Sequence, residues 1–148
     1  MILKLKRTPG IYIVGFTAAG KSTVGRYLAE RLGWSFIDTD IEIARHVRTI
    51  ESGHPAVVAI GSEAFTQPGS RQLLANNGIT VWLDCPFETV ERRVLHDPKR
   101  PLARDPERLL ALFLMRRESY SLADVQIPIL DEDAADVVRT IMAHPFLR

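Results

Sequence analysis

The stretch Gly15-Phe16-Thr17-Ala18-Ala19-Gly20-Lys21-Ser22 constrains this chain more than any other part of it. It fits the pattern G-x-x-x-x-G-K-[ST] at every fixed position. Ile11-Tyr12-Ile13-Val14 precedes it, an apolar, β-branched run that predicts a buried strand. Val24, Tyr27, Leu28 and Leu32 follow at helical spacing, the apolar stripe of an amphipathic helix. Strand, glycine loop and helix together form the setting in which a phosphate-binding loop works. Gly15 and Gly20 let the backbone wrap an anion with no Cβ in the way. The N–H groups of the loop, from Thr17 through Ala18, Ala19 and Gly20 to Thr23, and the helix N-terminus then face the phosphates. Lys21 can reach the β- and γ-phosphates, and the Ser22 hydroxyl can ligate Mg²⁺. The chain is therefore expected to bind a nucleoside triphosphate.

Length and composition narrow the class. At 148 residues the chain is expected to form one domain, spanning 1–148. A chain of that size buries roughly two-thirds of its unfolded surface, enough for a real core. The net charge of +1 supplies no field that would draw nucleic acid or an acidic membrane, so neither is expected as a partner. Arg outnumbers Lys 15 to 4, and the guanidinium group suits bidentate binding of phosphate and carboxylate. Cys85 is the only cysteine, so no internal disulfide can form. His46, His54, His96 and His144 show no metal-ligand spacing. No apolar stretch has the length of a signal peptide core or a membrane span. The expectation is a cytoplasmic protein that acts as a monomer.

Strand and helix signals alternate along the chain, the mark of an α/β fold with a parallel sheet. Ser35-Phe36-Ile37 predicts a second strand, and a helix is expected from Asp40 to about Ser52. Ala56–Ile60 is a continuous apolar run, which predicts a central buried strand. A short helix is expected around Arg71 to Ala75, then a strand at Ile79–Leu83. Phe87, Val90 and Val94 mark the next helix. Asp97 to Asp105 carries Lys99, Arg100 and Arg104 among prolines and predicts a basic loop. Pro106 to about Ser119 predicts a helix with proline in its first turn. Val125–Ile127 gives a last strand, and Val137, Val138 and Ile141 a closing helix. The expected architecture is a P-loop kinase-like, doubly wound five-stranded parallel sheet flanked by helices, with a short basic lid loop. Ligands of such sheets bind at the carboxyl ends of the strands. That places interest on Gly15–Ser22, Asp38–Asp40, Gly61–Glu63 and Asp84–Cys85.

Asp38 and Asp40 stand one residue apart at the end of the second strand. Beside a phosphate loop, one carboxylate can hold Mg²⁺ and the other can accept the proton of an attacking hydroxyl. The competing reading is helix capping, since Thr39 with Glu42 fits S/T-x-x-E. Arg116 completes a stripe with Leu109, Leu112 and Phe113. Arg117 completes an equally good one with Leu110, Phe113 and Leu114. Periodicity does not choose between them, and one of the two is expected to be a solvated arginine near a helix C-terminus. Arg100, in the basic loop, suits a lid that brings positive charge to the transferring phosphoryl group. Arg92 and Arg93 fit a solvated helix face, from which one could touch the nucleotide base.

Taken together, Gly15 through Arg26, then Phe36-Ile37-Asp38-Thr39-Asp40, Arg100-Pro101-Leu102 and Arg116-x-x-x-Tyr120-x-x-Ala123-Asp124, resemble shikimate kinase. The resemblance runs from about Ile11 to Ile127. It implies transfer of the γ-phosphate of ATP to the 3-hydroxyl of shikimate, with Mg²⁺, in aromatic amino-acid biosynthesis. It further implies that Lys21 stabilises the transferring group, and that Ser22 and Asp38 hold Mg²⁺. Asp40 would bind the substrate hydroxyl and act as base. Arg100 would be the lid arginine, Arg93 would lie near the adenine, and Arg116 would bind the substrate carboxylate, with Gly61 and Ser62 also lining the acceptor site.

The chain departs from that pattern on the acceptor side. The helical insert between Asp-x-Asp and the third strand, with its Phe-Arg, is missing. Gly61-Ser62-Glu63 stands where the family has three glycines. An inward Glu63 about 4 Å from an anionic acceptor would cost about 4 kcal/mol at an effective dielectric of about 20. Ala18 replaces a frequent glycine, which is tolerable unless that position needs a positive φ. Two further readings therefore stay open: a kinase for another small hydroxylated acceptor, and a nucleotide-binding protein without transferase activity.

Overall fold

A computed structural model of the chain describes residues 10–16, 18–39, 55–61, 64–66, 68–96, 105–130 and 133–145. The expected helix from Asp40, the basic loop around Arg100, and the site candidates Thr17, Asp40 and Ser62, with Glu63, lie outside the described residues.

Five strands form one parallel sheet: β1 (Gly10–Val14), β2 (Ser35–Thr39), β3 (Ala56–Ile60), β4 (Ile79–Asp84) and β5 (Val125–Pro128). Their order is β2-β3-β1-β4-β5. β1 is central, with Ile11 opposite both Val57 of β3 and Ile79 of β4. Every residue of β1 and of β3 is buried. Their uninterrupted apolar sequence follows from that position, since helices cover both faces of a parallel sheet. β5 is an edge strand, in which Val125 and Ile127 point inward and Gln126 and Pro128 outward. Pro128 is tolerated there because an edge strand has a side with no ladder bond to lose.

Five α-helices are described: α1 (Lys21–Leu32), α2 (Pro68–Asn77), α3 (Phe87–Leu95), α4 (Pro106–Tyr120) and α5 (Ala134–Met142). A 3-10 turn covers Ala64–Thr66. α1 packs on the sheet and on α5. Its buried face is Val24, Gly25, Leu28 and Ala29, whereas Tyr27 is largely exposed and Leu32 only partly buried. The apolar stripe expected from sequence is thus turned by about one residue. The cause is close approach. A Cβ on Gly25 would sit 2.6 Å from the Phe36 ring of β2, so a small residue seats this helix.

α2 begins at Pro68, three residues before the expected start at Arg71. Proline presets the first-turn backbone and has no N–H to leave unpaired there. The Arg71 guanidinium donates to the carbonyls of Phe65 and Thr66, at 3.1 and 2.9 Å, and ties the preceding turn to the helix. α4 runs over the expected span. The Asp105 carboxylate accepts from the Arg108 backbone N–H at 3.1 Å and caps it. The core joins both faces of the sheet to these helices. Phe65, Trp82 and Tyr120 meet in it, with the Tyr120 ring 6.4 Å from Phe65 and 6.1 Å from Trp82.

The strand order reverses at β1, with β3 and β2 to one side and β4 and β5 to the other. Such a reversal opens a crevice at the carboxyl ends of the strands. The glycine loop begins at that point.

Candidate phosphoryl-transfer site

The loop after β1 turns tightly against β4. Gly15 lies so near it that a Cβ would come 3.0 Å from the Leu83 carbonyl oxygen. The Ala19 N–H donates to the Phe16 carbonyl at 3.1 Å, which closes the curve of the loop. Gly20, at φ +90°, starts α1 in the left-handed region. Ala18 is left-handed too, at φ +66°. Position 18 therefore does need a positive φ, the condition under which alanine there carries strain.

Lys21 opens α1, and its ammonium folds back over the loop. It donates to the carbonyls of Gly15 at 2.8 Å and Phe16 at 3.2 Å. A cation is thus held above the concave side of the loop, at a helix N-terminus, where both the dipole and the N–H groups favour an anion. One residue on, the Ser22 hydroxyl donates to the Asp38 carboxylate at 2.5 Å. Asp38 reaches it from β2, whose register sets Asp38 opposite Ala59 of β3. A hydroxyl and a carboxylate in contact form the hard oxygen pair that suits Mg²⁺, which takes few protein ligands and completes its shell with water and phosphate oxygens. The residues present fit both the metal and a triphosphate. Thr23 follows on the exposed side of the first turn, and Ala19 is buried beneath the loop.

Arg93 reaches the loop from α3. Its guanidinium donates to the Ala18 carbonyl at 2.8 Å. The side chain that periodicity assigned to a solvated face is exposed, yet it braces the left-handed residue of the loop. Gly61 follows β3 directly, at the same edge of the sheet.

α4 brings two arginines to this edge, and they do different things. The Arg116 guanidinium carbon lies 5.7 Å from the centre of the Phe16 ring, inside the phosphate loop. Phe16 in turn meets Phe113 edge-on at 5.4 Å, and Phe113 meets Phe87 at 5.2 Å. Arg117 forms a two-pronged ion pair with Asp84, at the carboxyl end of β4. Its guanidinium also lies 4.9 Å from the centre of the Trp82 ring. The expectation that one of the two would merely be solvated is corrected here. Leu109 and Phe113 are buried and Leu110 and Leu114 are exposed, so the Arg116 stripe is the one that packs. Arg117 stands beside that stripe and finds a carboxylate.

Three features of the site were missed at the level of sequence: the Asp84–Arg117 pair, the Phe16 ring under Arg116, and the brace from Arg93 to Ala18. Asp84 was marked by its place at a strand end, but nothing local in the sequence names its partner. Asp124, part of the arginine-tyrosine pattern, plays a structural part. Its carboxylate accepts from the Thr80 N–H and hydroxyl, at 3.0 and 3.2 Å, and locks β4 to the start of β5. Among the described residues no group of three His, Cys, Asp or Glu side chains could hold a metal by itself.

Known proteins resemble this chain over most of its length. A family model described as shikimate kinase matches residues 17–52 and 44–144. A shikimate kinase of Thermosynechococcus vestitus is 36% identical over 155 residues, which cover 86% of this chain and 84% of that protein. One of Persephonella marina is 31% identical, covering 90% and 97%. The structure of a shikimate kinase from Acinetobacter baumannii in complex with shikimate superposes with a TM-score of 0.78 at 32% identity, covering 96% of this chain and 95% of that one. The pairing with the T. vestitus protein spans 155 residues, of which this chain supplies about 127, being 86% of 148. The relative therefore carries a segment that this chain lacks. The two stretches matched by the family model overlap at residues 44–52, where the sequence placed the missing insert.

Proposed function

The chain belongs to the shikimate kinase family, and we propose that it carries out that reaction with the residues gathered where the sheet reverses its order. It is an ATP-dependent phosphotransferase that phosphorylates shikimate, with Mg²⁺ as cofactor. The observation that carries the assignment of roles is the loop itself. The Lys21 ammonium lies over the loop's carbonyls, and the Ser22–Asp38 contact stands beside it.

Each residue's role follows from its charge and place. Lys21 offsets the negative charge that spreads over the phosphoryl oxygens as the group transfers. The backbone of Gly15, Thr17, Ala18, Ala19, Gly20 and Thr23 binds and orients the phosphates. Ser22 and Asp38 hold the metal, which when bound neutralises charge on the phosphate oxygens and orients them. Asp40, two residues beyond Asp38, binds the acceptor hydroxyl and takes its proton. Arg100 brings a further positive charge and helps exclude water. Arg93, already against the loop at Ala18, lines the nucleotide side. Arg116 binds the acceptor carboxylate, and Gly61 and Ser62 take part in binding the acceptor. The enzyme works as a monomeric single domain in the cytoplasm, without nucleic acid or membrane. The net charge of +1 supplies no field that would draw nucleic acid, and no described helix is long and apolar enough to cross a membrane.

A coupled ADP-release assay with Mg·ATP, with and without shikimate, tests the proposal. Shikimate-dependent turnover is expected, and Lys21→Ala should abolish it. Nucleotide binding without turnover would favour a protein that has lost transferase activity.

A further inference from the structure

Periodicity could not tell Arg116 from Arg117, whereas the fold gives them separate surroundings. On the reading that Arg116 binds the acceptor carboxylate, its aim decides how well the acceptor is held, and the role of Arg117 rests on that reading. Arg117 turns its fork toward Asp84 and places both prongs on that one carboxylate, with the Nη2–Oδ2 contact at 3.1 Å. Asp84 is held independently of α4. Its side chain accepts from Gln126 Nε2 of β5 at 2.7 Å, and its carbonyl accepts from the Ile129 N–H at 2.8 Å. Asp84 is therefore a fixed point of the sheet, and Arg117 fastens the last turns of α4 to it.

Successive residues on a helix project about 100° apart. The roll of α4 about its own axis therefore decides where Arg116 points. That roll is gripped by Phe113 against Phe16 and Phe87. One turn further on, on the same face, Arg117 grips it again through Asp84. A planar guanidinium on both oxygens of a carboxylate sets orientation as well as distance. We infer that the Asp84–Arg117 pair, backed by Gln126, positions Arg116 for the acceptor and so governs acceptor affinity rather than nucleotide affinity. A stabilising role is the weaker account. The Arg117 side chain is 39% exposed and that of Asp84 13%, and an ion pair with one partner this open to water contributes only modestly to stability. Direct binding of a ligand by Arg117 is also the weaker account, because its fork is already engaged.

Steady-state kinetics of the full chain with Mg·ATP and shikimate test the inference. Arg117→Met keeps a long side chain over Trp82 but removes the fork. It is expected to raise KM for shikimate roughly tenfold, because small misplacements of a binding group are costly, while KM for ATP stays within about twofold. Arg117→Lys, which restores charge without the planar fork, should recover only part of the loss. The double variant Asp84→Asn/Arg117→Met should match Arg117→Met. If it instead restored the shikimate KM, the single variant's defect would come from an unpaired Asp84 charge, and the positioning role would fall. An unchanged shikimate KM in Arg117→Met, or equal rises in both KM values, would also overturn it while leaving the function intact. An unaltered chain that releases no ADP with shikimate would overturn the functional reading and this inference with it.

Discussion

Ala18 sits in the phosphate loop at φ +66°, a conformation that costs an L-residue roughly 1–2 kcal/mol. The Arg93 guanidinium on its carbonyl helps hold it there. Ala18→Gly should remove the strain, less the added flexibility of the unfolded chain, for a net gain of about 0.5–1 kcal/mol. A thermal melt would read this as a rise of roughly 1–4 °C, and an unchanged or lower midpoint would refute it. Asp40 carries the next prediction. Asp40→Asn should lower kcat by about a hundredfold or more with KM for ATP nearly constant, as loss of a general base does. An intact kcat would make Asp40 a helix cap and nothing more. The two arginines mark how far single residues could be read. Both lie on equally good stripes, and the choice depended on a carboxylate 33 positions away in the chain.

At the scale of elements, helix seating decides what periodicity leaves open. The stripe through Val24 and Leu28 was legible because apolar residues recur at helical spacing. The final rotation of α1 was not, because it depends on Gly25 meeting a ring from β2. The turn between α2 and β4 is tighter still. A Cβ on Gly78 would fall 2.2 Å from the carbonyl oxygen of Gly10, a backbone atom of the central strand that cannot swing aside. Gly78→Ala should therefore force β4 away from β1 and destabilise the protein by about 2–4 kcal/mol, the range of severe core changes. Urea unfolding checks this, and a loss below about 0.5 kcal/mol would show that the strands part easily. Sequence read that turn as Asn76-Asn77-Gly78, whereas α2 continues through Asn77 and leaves Gly78 alone to make the passage.

The whole molecule is a sheet whose order reverses at β1, and the loop, Asp38, Gly61 and Asp84 all lie at that one edge. Because the core is continuous across both faces, unfolding should be a single cooperative transition. A ligand that binds only the folded state adds about 2.7 kcal/mol at a hundred times its Kd. Mg·ATP at that level should therefore raise the midpoint by roughly 5–10 °C. Lys21→Ala should lose most of the shift, and two separate transitions would argue against one domain. The pairing with a relative leaves this chain short by a segment, and the expectation from sequence puts that loss, with Ser62 and Glu63, on the acceptor side. Shikimate should consequently stabilise the protein less than Mg·ATP does.

The sequence by itself determined the strand–loop–helix unit and the five-strand parallel plan, and it marked Lys21, Ser22 and Asp38 as donor-side candidates. Those features are written in contiguous residues, where spacing alone dictates which groups share a face or a turn. Tertiary structure alone decided that Ala18 is strained, that Arg93 braces the loop, and that Asp84 and Gln126 engage Arg117 while Arg116 lies over Phe16. These depend on the roll and approach of elements distant in the chain, which side-chain volume and the placing of partner charges set only once the core has packed.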